Sequence, residues 1–266
     1  MKTTNLVNLL AMAALAAIGT LSLQAQDQPP EEKKPRWEST ATASLTLTRG
    51  NAETMLASLK AETGKKWDKN ELKIGADGAY GETTTRFLDA VGGTTNSTTI
   101  NVNVVRGFIQ YNRLFTERLF GMVRVDGMHD EIAKIDFRVV ASPGLGYYFI
   151  KKPATTLCGE VGPSYVWERL NGDWNNYAAL RVADTFTHKL SDRAKVWQKT
   201  EVLPSLKDFS HVLVNSEVGV SASLTQDNKL ALTVTLNHSY NSHPAVADPR
   251  RMRNDTILKA GITYAF

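Results

Sequence analysis

The 266-residue sequence contains one cysteine, Cys158, so no intrachain disulfide is possible. A lone thiol is read as a small packed side chain rather than a catalytic group. Beyond the first 25 residues no stretch stays apolar for the roughly 18 residues that a membrane-crossing helix needs, which excludes a helical membrane protein. An excess of one charge is also missing. Lys and Arg number 31 against 27 Asp and Glu, a formal balance of +4 scattered along the chain. So small a surplus gives no electrostatic footprint for nucleic acid. No Walker loop, dinucleotide fingerprint or zinc spacing occurs, so neither cofactor nor metal is expected.

What is present is alternation, clearest at the C-terminus. Leu258, Ala260, Ile262, Tyr264 and Phe266 fall on one face of a strand, and Lys259, Gly261, Thr263 and Ala265 on the other. The ending, with Gly261, Tyr264 and a terminal Phe266, resembles the signal by which bacterial outer-membrane barrels are recognised for assembly. The N-terminus agrees. Residues 1–25 carry a basic Lys2, an Ala- and Leu-rich apolar core and a small residue at Ala25, the pattern of a cleaved secretory leader. Its loss takes the formal charge from +4 to +3, since Lys2 is its only charged residue. Residues 26–36, QDQPPEEKKPR, have nothing to bury and read as a flexible periplasmic linker.

The remaining span, 37–266, suits one large all-β domain. A mean hydropathy of -0.26 is compatible with a membrane barrel, because half of each strand faces water inside it. Alternating segments separated by turn signals give a count of about 12 strands. They lie at 37–49, 55–66, 72–80, 100–113, 118–129, 135–150, 155–167, 177–188, 194–204, 212–224, 230–240 and 258–266. The fold predicted is a closed antiparallel transmembrane β-barrel, with a soluble β-sandwich as the competing reading. The connections after even-numbered strands are all short, as periplasmic turns should be, and the two longest, 82–99 and 242–254, fall at the opposite end. A phase switch near Val104 and Val105 suggests a bulge. Pro143 and Pro163 are expected at bulges or strand ends, because they cannot donate ladder hydrogen bonds. Asp184 shares the apolar face of Leu180, Val182 and Phe186, a costly position in lipid away from an interface. Trp37, Trp67, Tyr80, Tyr111, Tyr147, Tyr148, Phe149, Tyr165, Trp167 and Tyr240 sit near strand ends and read as interfacial rings.

A family resemblance spans about residues 37–266. It is carried in order by Arg49-Gly50-Asn51-Ala52-Glu53-Thr54, Gly144-Leu145-Gly146-Tyr147 and Glu160-Val161-Gly162-Pro163-Ser164-Tyr165. Leu203-Pro204-Ser205-Leu206, Asp208-Phe209, Tyr240, Ser242, Pro244 and Asn254-Asp255-Thr256 follow. This order resembles the salt-induced outer-membrane proteins of the YdiY-like type. The resemblance implies an outer-membrane barrel and offers no catalytic residues to carry over.

The inward-facing positions predicted by alternation carry charges of both signs: Lys60, Glu62, Lys73, Asp77, Arg124, Asp126, Arg138, Glu160, Arg181, Lys199, Glu201, Glu217 and Lys259. Enclosed charges persist only if paired or hydrated, so they either bridge the lumen or line water. A barrel of about 12 strands lies between those filled by side chains and those with an open channel, which favours a narrow or occluded lumen. Expected partners are outer-membrane lipids, the barrel-assembly machinery and small solutes or ions. An enzyme at the extracellular rim is the alternative, and a structural or binding barrel without transport a third reading. For a lipase, His238 and Ser239 face opposite ways, and His238 and Ser242 are roughly 13 Å apart along a strand. For a protease, Asp208 and His211 lack a second acidic pair. Asn171-Gly172-Asp173 is open to reading as a weak calcium site, although a hairpin turn explains it.

Overall fold

The computed structural model describes residues 36–48, 52–88, 94–243 and 253–266. Residues 1–35, 49–51, 89–93 and 244–252, which include the expected leader, most of the expected linker and Pro244, lie outside the described residues. Twelve strands are described: β1 Trp37–Thr48, β2 Ala52–Trp67, β3 Asn70–Leu88, β4 Thr94–Leu114, β5 Leu119–Asp130, β6 Ile135–Lys151, β7 Thr155–Leu170, β8 Asp173–Lys189, β9 Ala194–Pro204, β10 Val212–Ser223, β11 Leu230–Asn241 and β12 Asn254–Ala265. Each pairs antiparallel with its chain neighbours. β1 pairs with β12, from Thr40 opposite Ala265 to Ser44 opposite Gly261, so the sheet closes on itself and is no sandwich. Closure leaves no free sheet edge.

Alternation sorts the side chains into an apolar outside and a polar inside. Along β10, Val214, Val218 and Val220 point outward while Glu217 and Ser221 point in. Leu45, Val161 and Leu258 on the outer wall are each at least half exposed, whereas Gln110, Asn112 and Glu168 inside are buried. This inverts the arrangement of a soluble domain. Two apolar clusters sit within the cylinder. Phe120, Met122, Tyr148 and Cys158 pack at the end with the short turns. Val140, Val166, Tyr177, Ala179, Leu203 and Leu213 pack toward the other, long-loop end.

Several sequence expectations are corrected. The connection at 82–99 is largely ladder, since β3 runs to Leu88 and β4 starts at Thr94. Threonine is the reason: its branched side chain favours extended backbone, and hydroxyl pairs such as Thr84 with Thr98 at 2.8 Å link the strands. The irregularity in this ladder lies between Gly81 and Glu82, opposite the step from Ile100 to Val102, ahead of the expected Val104. Tyr148 turns inward and is 9% exposed, so it is no interfacial ring. Asn171 and Gly172 have φ of 51° and 90° and form a two-residue hairpin turn.

Pro143 and Pro163 sit at neither bulge nor strand end. They fall where the β6–β7 pairing lapses, between Ala141 opposite Tyr165 and Leu145 opposite Val161, while Pro143 keeps its β5 partner and Pro163 its β8 partner. Neither ring can donate across the seam, so the chains are held there by close approach and by the Ser142–Ser164 hydroxyl pair at 2.7 Å. A Cβ on Gly144 would lie 2.6 Å from the Val161 carbonyl oxygen, and one on Gly162 would overlap that of Pro143. Gly162→Val is expected to cost about 1–3 kcal/mol in urea unfolding from detergent micelles. Gly127→Ala, whose added carbon meets open space, should change stability by less than about 0.5 kcal/mol.

Candidate functional site

The lumen is spanned by side chains from strands that are not neighbours. Lys60 on β2 donates to Glu217 Oε2 on β10 at 3.0 Å, although β1, β12 and β11 separate the two strands around the wall. Lys60 also pairs with Glu62 at 3.4 Å. Lys199 on β9 reaches Glu62 at 3.5 Å and Glu217 at 3.6 Å, and the Trp197 indole N–H donates to Glu217 Oε1 at 2.7 Å. Two cations and two carboxylates therefore form a ring of alternating sign about the lumen.

A second network fills the half bounded by β3 to β9. Arg181 donates from Nη1 to Glu160 at 2.9 Å and from Nε to Glu201 at 2.5 Å. Gln110 Nε2 donates to Glu160 at 2.8 Å and to Asn112 at 3.0 Å, and Arg124 Nη1 donates to Gln110 at 3.0 Å. Arg124 also pairs with Asp126 at 2.6 Å. Below, Asn112 and the Tyr148 hydroxyl donate to Glu71 at 3.3 and 3.1 Å, beside the apolar cluster that narrows the short-turn end. Such chains of enclosed hydrogen bonds polarise one another and hold side chains in fixed geometry.

Ten of the thirteen charged residues expected to face inward take part in ion pairs: Lys60, Glu62, Arg124, Asp126, Arg138, Glu160, Arg181, Lys199, Glu201 and Glu217. Lys73, Asp77 and Lys259 make no hydrogen bond or ion pair among the described residues, though Asp77 lies within electrostatic reach of Lys60 and Lys259, and Lys73 of Glu71. Sequence reading missed Glu71, Gln110, Asn112, Tyr148, Glu168 and Trp197. Glu168 shares the parity of Glu160, so extending its strand by one residue would have found it. Gln110 and Asn112 carry no charge and escaped a search for charges.

At the long-loop end Arg138 Nε pairs with Glu168 at 2.6 Å, and Asn175 donates to the other carboxylate oxygen at 2.7 Å. Above them the Tyr177 and His211 rings lie 4.8 Å apart, and those of His211 and His243 5.0 Å. His211 belongs to the β9–β10 connection, and burial holds its imidazole below the ordinary value, with His243 and Arg138 acting the same way and Glu168 opposing. His238 faces outward and contacts Thr256 at 2.9 Å. Ser242 contacts His243 Nδ1 at 2.9 Å, but it is 9% exposed and its oxygen accepts the Val212 N–H at 2.8 Å. No group of three or more His, Cys, Asp or Glu side chains is placed to hold a metal among the described residues.

Gly261 faces inward on the closing strand, against Ala43 and Ser44, where a Cβ would overlap backbone. Tyr264 and Phe266 point outward with ring centroids 6.1 Å apart. Phe266 also exchanges backbone hydrogen bonds with Ser39, at 3.0 and 3.3 Å, which tie down the end of the cylinder.

Among solved structures, the NanC porin is similar at 10% identity, with a TM-score of 0.49 and coverage of 85% of this chain and 98% of that one. The translocator domain of the autotransporter NalP from Neisseria meningitidis is similar at 13% identity, with a TM-score of 0.41 and coverage of 86% and 87%. The transport unit of the autotransporter AIDA-I from Escherichia coli is similar at 12% identity, with a TM-score of 0.38 and coverage of 96% and 97%. Comparison with curated proteins gives no match. The family described as "Protein of unknown function, DUF481" matches residues 41–266, nearly the whole closed barrel, and the chain belongs to it.

Proposed function

We propose that this chain is a non-enzymatic outer-membrane barrel whose lumen is narrowed to near closure by bridging side chains, passing small solutes or ions at most. The observation that carries this reading is the inverted polarity of the cylinder. Soluble monomers rarely expose a continuous apolar wall, whereas Leu45, Val123, Leu145, Val161, Val218, Leu232 and Leu258 stand exposed around this one. Lipid is the solvent that suits such a wall. The short-turn end, which also holds the C-terminus, then faces the periplasm, and the assembly machinery is the partner that would read Tyr264 and Phe266. The cross-lumen pairing of Lys60 with Glu217 and of Lys199 with Glu62 supports occlusion rather than a wide pore. A role in the envelope response to salt follows from the sequence resemblance alone.

Refolded chain in planar bilayers should give discrete steps well below those of a wide porin, with weak preference between cations and anions because charges of both signs line the path. Large, strongly selective steps would contradict the proposal. The enzymatic reading rests on the Ser242–His243 contact and the Asp208–His211 loop. Lipase or protease activity that disappears in His211→Ala or His243→Ala would replace the channel reading.

A further inference from the structure

The apolar face of the outer wall is interrupted in register on three adjacent strands. Asp184 on β8 stands between Val182 and Phe186, Gln198 and Thr200 on β9 between Val196 and Val202, and Ser216 on β10 between Val214 and Val218. The ladder sets Asp184 opposite Thr200 and Thr200 opposite Ser216, and the row continues through His238 to Thr256 at the long-loop end. The middle of the wall is apolar elsewhere, as along Ala57, Leu59 and Ala61 of β2 and Leu232, Val234 and Leu236 of β11.

Depth removes the lipid–water boundary as the reason for this polarity. Asp184 lies five positions from Lys189, and Gln198 four from Ala194, at the short-turn ends of β8 and β9. At the rise and tilt of barrel strands, five positions carry Asp184 about 13 Å inward, roughly half of an apolar band about 25 Å tall. Its one-carbon stem does not return the carboxylate to water as a Lys or Arg stem would. Its own barrel offers no partner either: Asp184 makes no hydrogen bond or ion pair among the described residues.

The patch complements itself. Gln198 Nε2 donates to Thr200 Oγ1 at 2.6 Å, and Ser216 donates to the same oxygen at 3.3 Å. A side-chain amide has two donors and an acceptor, so Gln198 keeps one N–H and its carbonyl for a group outside the wall, while Asp184 brings acceptors. Gln198 is opposite Phe186, which makes it a diagonal neighbour of Asp184, about 7–8 Å away and at nearly the same depth. A two-fold axis along the membrane normal between them sets each copy's Gln198 against the other's Asp184. Acyl chains have neither donor nor acceptor to offer.

We propose that the outer face of β8, β9 and β10 is a dimerisation surface for a second copy of this chain, with Gln198 of each copy donating to Asp184 of the other. The contact is outside the wall and leaves the lumen as it is. It rests on the lipid-coated wall proposed above, since in water these groups would need no partner.

The test uses full chain refolded into phosphatidylcholine vesicles, recovered by flotation and treated with a short bis-maleimide at several protein-to-lipid ratios. In a Cys158→Ser background, the reactive thiol is Val218→Cys, beside Gln198, or Ile74→Cys on β3 across the cylinder. Val218→Cys should give cross-linked pairs in a fraction that rises with the protein-to-lipid ratio, and Ile74→Cys should not. Gln198→Leu or Asp184→Val, added to Val218→Cys, should weaken pairing about tenfold. Each sets an apolar group against lipid, so the barrel itself should stay folded, as its gel mobility before and after heating would show. Inserted chain that stays single at every ratio, pairs equally through Ile74→Cys, or pairs undiminished in both variants would overturn the dimer and leave the lipid-coated wall standing. Chain that does not float with the vesicles would overturn that wall, and the dimer with it.

Discussion

Glu168→Ala should destabilise the barrel by about 3–5 kcal/mol, because it leaves the Arg138 guanidinium enclosed without its counter-charge. Glu168 has no exposed surface, and the Arg138 side chain is 11% exposed. The substitution also frees the Asn175 amide, which donates to Glu168 at 2.7 Å. Glu62→Ala is the informative contrast. Glu62 is one-third exposed and shares its cations with Glu217, so its loss should cost about 1 kcal/mol or less. Equilibrium urea unfolding from lipid vesicles reads both. Equal costs would mean that the long-loop end is as hydrated as the middle of the lumen, contrary to the burial of Glu168.

The second large effect concerns passage. Lys60→Ala combined with Glu217→Ala removes a bridge that crosses the lumen, and it removes both charges together so that neither is left alone. Single-channel conductance should rise several-fold over that of the unmodified chain, because Lys199 then keeps only Glu62 as a partner and the Trp197 indole loses its acceptor. Asp184→Asn serves as the control, since Asp184 lies on the outer wall between Val182 and Phe186. It should leave conductance unchanged. If the double variant conducts no better than the unmodified chain, the constriction lies elsewhere, and the Phe120–Tyr148 cluster at the short-turn end becomes the next barrier to examine.

Most of the cylinder was legible because its determinants are local. Strand β9 runs over the 194–204 expected from its flanking turns, and β10 and β11 follow Val214, Val218, Leu232 and Leu236 with period two. What was not legible depended on partners distant in sequence. Nothing near Tyr148 announces that its hydroxyl meets Glu71, 77 residues away. Near a strand end an aromatic ring reads as interfacial unless its parity is checked, and Tyr148 has the parity of Gly146 and Ser142, both inward. The β3–β4 extension was misread because threonine is polar enough to suggest a loop, while its branched side chain is at home in a ladder. Pro143 and Pro163 were judged one at a time. Facing each other, they share a single lapse in the ladder, and no bulge is needed.

The lumen charges show the same division. Parity alone predicted which residues face inward, but the pairing of Lys60 with Glu217 spans 157 residues and needs the register of the intervening strands.

Site-directed spin labelling reaches the central claim most directly. In a Cys158→Ser background, labels at Val125→Cys and Leu232→Cys on the outer wall and at Ser58→Cys and Thr235→Cys on the inner wall are compared in lipid vesicles. Outer labels should be relaxed by lipid-dissolved oxygen and shielded from a water-soluble nickel chelate, and inner labels should be shielded from that oxygen. Outer labels that respond to the nickel chelate as they would in buffer would contradict a cylinder coated by lipid.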